Sequence, residues 1–130
     1  MNNPVIYVFI NKGLHMSAGK VAAQAIHAAM MGTIASDKAE QEAWGKAIHK
    51  TVIVLEARDE AHIKNIRQYL EDRDFDLSEI VDEGVNEIDP HVTTALASTI
   101  IEKDNEDVVK AFSTFNLYKD VVRATVEFER

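Results

Sequence analysis

Val5 to Ile10 reads Val-Ile-Tyr-Val-Phe-Ile, an uninterrupted run rich in β-branched and aromatic residues. A strand wetted on one side alternates apolar and polar residues, whereas one that does not alternate is buried on both faces. This run therefore predicts a sheet covered above and below, and the rest of the chain offers helices for those layers. Thr51 to Ala57 (Thr-Val-Ile-Val-Leu-Glu-Ala) is a second strand by the same criterion. Between them Ser17 is placed to cap a helix over Ala18 to Met31, rich in good helix formers until Gly32 interrupts it. Its alanines at 18, 22, 23, 25, 28 and 29 suggest a helix lying close against the sheet, since small side chains let backbones approach. Asp37 to Ile48 is a second helical pattern, with Trp44 and Gly45 near its end.

Asp59 to Asp72 is an amphipathic helix, with Ala61, Ile63, Ile66 and Leu70 on one side and Glu60, Lys64, Arg67 and Glu71 on the other. Leu77 to Val81 reads as a short strand ended by Gly84, Asp89-Pro90 as a turn, and Thr93 to Ile101 as a strand with interleaved hydroxyls. Asp104 is a cap for a helix running to about Phe115. Val121 to Glu129 alternates, with Val122, Ala124, Val126 and Phe128 on one face, the pattern of a half-exposed extra strand. The order β-α-α-β-α-β-β-α, plus that strand, predicts a single α/β sandwich with a mixed sheet spanning 1–130.

A chain of 130 residues with 46% apolar content buries roughly 65–70% of its unfolded surface, enough for a core without staples. The absence of cysteine excludes a disulfide framework, a thiolate metal site and a cysteine nucleophile. No apolar stretch approaches the ~18 residues of a membrane span. The opening Met-Asn-Asn-Pro-Val has no basic segment ahead of an apolar one, so a reducing cytoplasm is the expected compartment. The net charge of −8 is uneven: five lysines and three acids in residues 1–50, nine bases and nineteen acids in 51–130. Whole-molecule steering of a polyanion is not expected, although a local patch in the first part can still hold a phosphate.

Two places carry candidate chemistry. Gly13-Leu-His-Met-Ser-Ala-Gly19-Lys20 follows a strand and opens a helix, where backbone N–H groups and the helix dipole favour an anion. It is not a P-loop, because five residues separate the glycines and Val21 follows the lysine. Lys20 is either a solvated lysine or an anion holder; a cation in the first turn opposes the dipole and calls for compensation. Asp82-Glu83-Gly84 follows a short strand, with Thr93 and Thr94 opening the next. A carboxylate at a strand end facing a lysine makes a reasonable hydrolytic pair; spacing alone favours Asp82 as a simple cap of the turn before Gly84. His15, His27, His49, His62 and His91 form no i, i+4 pair, so no metal site is expected. His27 in the alanine-rich helix reads as a packed core residue, and His91 beside Pro90 as exposed near the candidate site.

The stretch Met16-Ser-Ala-Gly19-Lys20-Val-Ala22-Ala23-Gln24-Ala-Ile-His27-Ala28-Ala29 resembles the peptidyl-tRNA hydrolases of the archaeal and eukaryotic type. That family carries Met-x-x-Gly-Lys-x-Ala-Ala-Gln-x-x-His-Ala here, and every fixed position matches. Val81-Asp82-Glu83-Gly84 resembles its Asp-Ala-Gly, and Ile88-Asp89-Pro90 with Thr94-Ala95-Leu96-Ala97 a later stretch, so the likeness covers roughly residues 4–115. It implies a three-layer sandwich with a four-stranded mixed sheet flanked by helices, a homodimer, no cofactor and no metal. The implied activity is hydrolysis of the ester between a peptide and the 3′ ribose of tRNA. The catalytic positions map onto Lys20, Asp82 and Thr94, and the acceptor end would meet Gly19, Gln24, His27, Asn86, Pro90 and His91. The chain departs from the family at Asn86 (a hydroxyl), Glu87 (glutamine) and His91 (the glycine after Pro90). Those changes support an alternative, a protein of the same fold that binds tRNA or a protein partner without hydrolysis. A third reading, an unrelated interaction module, requires the Met16 to Ala29 match to be helix packing alone.

Overall fold

The computed structural model describes residues 1–82 and 91–119. The first apolar run becomes β1 (Pro4–Asn11), buried at every position. It pairs in parallel with β2 (Thr51–Ala57), Val5 opposite Thr51 and Asn11 opposite Ala57. On its other side it pairs antiparallel with β4 (Thr93–Ser98), and β4 with β3 (Leu77–Val81). The order is β2-β1-β4-β3, and a two-residue β5 (Ile101–Glu102) pairs with the start of β1. The expected mixed sheet is present, with β5 as a fifth strand. The single strand read over Thr93 to Ile101 is two, because Ser98 Oγ donates to the Thr99 carbonyl and accepts the Tyr7 N–H, breaking the ladder there.

The sheet lies between two helical layers, as Val5 to Ile10 predicts. Tyr7 and Phe9 face α3 (Glu60–Glu71) and α4 (Glu106–Phe112), where Ile63, Ile66, Leu70 and Phe112 complete one core. Tyr7 stacks on Phe112 with ring centroids 4.2 Å apart. Ile6, Val8 and Ile10 face α1 (Ala18–Ala35), and Trp44 of α2 (Lys38–Lys46) packs against that second core. The expected cap is present at Ser17, which accepts the Lys20 N–H, and Asp37 forms a capping box with Glu40 at the start of α2. The last helix is capped by Asn105 rather than Asp104, since Asn105 Oδ1 accepts the N–H groups of Asp107 and Val108. It ends at Phe112, three residues before the expected Phe115. The alternating segment 121–129 lies outside the described residues.

Gly32 does not end α1, as the sequence suggested, but lies inside it. It is the point of closest approach to the sheet: a Cβ there would sit 2.3 Å from the Ser98 carbonyl oxygen. Ser36 Oγ, one turn on, donates to the Gly32 carbonyl and accepts the Ile100 N–H, both at 2.8 Å. The alanine signal is thus partly right: Ala28 is buried against the sheet, whereas Ala22 and Ala23 face away.

Helix propensity alone favours alanine over glycine by about 1 kcal/mol. Gly32→Ala is expected to reverse that sign, destabilising by about 1–3 kcal/mol through overpacking. Gly45→Ala in α2, where an added Cβ meets nothing within 4 Å, should raise stability by about 0.5–1 kcal/mol. Urea unfolding of both variants checks the pair, and equal effects would contradict this seating of α1.

Candidate active site

Two elements far apart in sequence meet at one end of the sheet. The first turn of α1 brings Lys20, and the residue after β3 brings Asp82. Lys20 Nζ lies 2.9 Å from Asp82 Oδ2, with the two side chains 13% and 3% exposed. The carboxylate supplies the compensation that a cation in a helix's first turn requires. Asp82 does close a turn as well: its N–H donates to the Val92 carbonyl and its carbonyl accepts the His91 N–H. Asp82 thus has two contacts to make, its backbone holding the turn and its side chain the lysine.

Thr94 arrives by a defect in the ladder. Ile80 is opposite Ala95 and Val81 opposite Thr93, so Thr94 is the extra residue of a β-bulge. Bulges re-aim side chains at strand ends. The buried Thr94 Oγ1 lies 2.9 Å from Gln24 Oε1 and 3.2 Å from the Ile80 carbonyl oxygen. A hydroxyl has one proton for these two acceptors. Gln24 is four residues beyond Lys20, so one face of α1 presents both. Lys20, Gln24, Asp82 and Thr94 are thereby brought together.

Gly19 is exposed beside Lys20, and nothing lies within 4 Å of a Cβ built on it. His27, expected in the core, is exposed instead. Ala28 takes the inward position of that turn, leaving the neighbouring histidine on the stripe that continues from Lys20 and Gln24. Asn86 and Pro90 lie outside the described residues. His91 is exposed, as expected, and has a φ of 69°. The family pattern has glycine here, and this left-handed backbone is what glycine adopts without a Cβ penalty.

Sequence reasoning missed two features next to this cluster. Thr93, pointing to the other face, donates to Glu79 at 2.6 Å while its N–H and the Asn11 amide donate to Glu60. Beside the single 3-10 turn of Lys12–Leu14, a depression is lined by Lys12, His15, Glu56 and Arg58. Near it, His62 Nδ1 accepts the Arg58 N–H. Burial, then the Arg58 charge, lowers the His62 pKa. Neither grouping has a local spacing to betray it, because strand ends bring its members together; the basic bias of residues 1–50 was the one hint. Among the described residues no group of three or more His, Asp or Glu is placed to hold a metal, and no helix is long and apolar enough to cross a membrane.

The fold is thus a mixed-sheet α/β sandwich with a nearly buried lysine–carboxylate pair where a helix starts and a strand ends. A family model described as peptidyl-tRNA hydrolase PTH2 matches residues 5–118, and the chain belongs to that family. No curated protein matches the sequence. The fold is also similar to a solved structure of a protein of unknown function from Agrobacterium tumefaciens strain C58. That likeness has a TM-score of 0.55 at 16% identity, covering 92% of this chain and 100% of the other.

Exposed His91 has little packing to lose. His91→Gly is expected to stabilise the fold by about 0.5–1 kcal/mol by relieving the left-handed backbone. Denaturant unfolding measures this, and a loss of stability would mean that the imidazole itself holds the turn.

Proposed function

We propose that this chain hydrolyses the ester joining a peptide, or an N-blocked amino acid, to the 3′ ribose of tRNA, with Lys20, Asp82 and Thr94 carrying the reaction. Family membership supports the reaction class, and the observation that supports this assignment of residues is the nearly buried Lys20–Asp82 contact. Removing two charges from water costs several kcal/mol each, so such a pair is a poor device for stability. A charge pair held this far from water is better explained by a reaction that uses it.

The chemistry follows from the groups. Asp82 takes a proton from water as the water oxygen bonds to the ester carbonyl carbon. The Lys20 ammonium holds the oxyanion that forms on the carbonyl oxygen. Collapse of the tetrahedral intermediate breaks the bond to the ribose oxygen, and the proton on Asp82 passes to that oxygen, giving free tRNA and a carboxylic acid. The Thr94 hydroxyl spends its proton on Gln24 or Ile80, leaving a lone pair to accept a hydrogen bond from the attacking water. No covalent intermediate is needed, which suits a chain without cysteine. The acceptor end meets Gly19, Gln24, His27, Asn86, Pro90 and His91, and the depression at Lys12, His15 and Arg58 receives its phosphates. The protein works in the cytoplasm as a homodimer and needs no cofactor.

A second reading, binding of a tRNA end or a protein partner without hydrolysis, draws on one observation. An imidazole projects from the turn closing on Asp82, at a position where the family has glycine.

One assay separates them. With N-blocked aminoacyl-tRNA at low salt, the wild-type chain should release the acyl group, and Lys20→Ala or Asp82→Ala should slow turnover by about 10²–10⁴. Wild-type turnover in both variants would sink the assignment. Intact ester with retained tRNA binding would establish the second reading.

A further inference from the structure

The sheet has two outer edges, and the described residues treat them differently. On β2, Glu56 N–H donates to the Asn116 carbonyl, Tyr118 N–H donates to the Val54 carbonyl, and Leu117 pairs with Leu55, so the C-terminal half of that edge is covered. On β3 nothing among the described residues pairs along the outer side. A bare edge is open to another strand, and proteins usually blunt it with proline, lysine or a bulge on the edge strand itself. β3 reads Leu-Ser-Glu-Ile-Val, with neither proline nor lysine, and the bulge lies on β4 instead. Its one charged side chain is turned inward, where Glu79 meets Arg67 of α3 at 3.1 Å and accepts the Thr93 hydroxyl at 2.6 Å.

The direction of the free groups follows from the ladder. Asp82 exchanges backbone hydrogen bonds with Val92 and His91 on the β4 side. Along a strand paired antiparallel, alternate residues turn both backbone groups to the same neighbour. Ser78 and Ile80 therefore face β4 as Asp82 does, while Leu77, Glu79 and Val81 hold their N–H and carbonyl groups outward. Val81, the last of these, is 40% exposed and directly precedes the carboxylate that meets Lys20. A row of unshared donors and acceptors about 14 Å long thus ends at the candidate active site.

We propose, resting on the hydrolytic reading, that the peptide part of the substrate is received as an added strand along the outer edge of β3. With the ester at Lys20 and Asp82 and the peptide trailing back toward Leu77, the added strand runs parallel to β3. Glu79 and Val81 then each offer an N–H to a peptide carbonyl and a carbonyl to a peptide N–H. Main-chain pairing supplies affinity without reading side chains, so this edge accepts peptides of varied sequence. α1 carries no Lys, Arg, Asp or Glu after Lys20, so peptide side chains turned toward that helix meet no fixed charge from it. An acyl group of one residue ends beside Val81, and three or four residues are needed to engage Glu79 as well.

Two esters of one tRNA that share their C-terminal residue, an N-acetyl amino acid and an N-acetyl tetrapeptide, decide the point with the wild-type chain. The tetrapeptide ester should be hydrolysed with kcat/KM about tenfold higher. A single N-methyl group moved along the peptide should remove that gain at alternate amides only, because an extended chain turns every second N–H to the same edge. With an amide replacing the ester, the saturating tetrapeptide analogue should slow hydrogen exchange of the Glu79 and Val81 N–H groups about tenfold, leaving Ser78 and Ile80, already bonded to β4, unchanged. Equal kcat/KM for the two esters, or unaltered exchange at Glu79 and Val81, would overturn strand addition while leaving the hydrolytic reading intact. No release from either ester would overturn that reading and the added strand with it. Slowing of the same two N–H groups with protein concentration alone would give the edge to a second copy of the chain.

Discussion

The seating of α1 on β4 is the constraint on which the rest depends. At its C-terminal end the helix backbone touches the sheet through Gly32 and is fastened by Ser36 to Ile100. At its N-terminal end it is held by Lys20 on Asp82 and by Gln24 on Thr94. A helix fixed at both ends has no freedom to slide, so the distance between Lys20 and Asp82 is set partly by the packing of Gly32, about 18 Å along the same helix. A site built on rigid elements holds its reacting groups better than one built on loops.

The two faces of the sheet then divide the polar groups. Thr93 and Thr94 are neighbours in sequence, yet one points to the acids Glu60 and Glu79 and the other to Gln24. Strand alternation separates them, and the bulge at Ile80/Val81 pulls Thr94 off the ladder. Every buried side-chain polar atom among the described residues has a partner, so these polar groups are compatible with a packed core.

The layers were legible because hydrophobic pattern determines them. Val5 to Ile10 does not alternate and is buried on both faces; Ile63, Ile66 and Leu70 recur at helical spacing and all turn inward. The site was legible only in part. Ser17 as a cap and Lys20 in a first turn could be read locally, but the partner of Lys20 comes from another element, and spacing favoured a plain turn for Asp82. The likeness to a family joined the two. Gly32 misled because glycine signals a helix end or a close contact in the same letter, and a contact with Ser98 is invisible along the chain. His27 misled because alanine at 28 took the buried place. The short β5 and the Asn105 cap arise from hydrogen bonds made after the chain folds, with no preceding pattern.

The proposal that a reacting ester sits against the Lys20–Asp82 pair is tested most directly by chemical-shift mapping with a non-hydrolysable amide analogue of a 3′-peptidyl adenosine. The account predicts that the largest perturbations fall on Lys20, Gln24, Asp82 and Thr94, with the Lys20 ammonium shifting. Saturable binding that leaves those four unmoved while shifting another surface, such as the Ala43 to His49 end of α2, would contradict it.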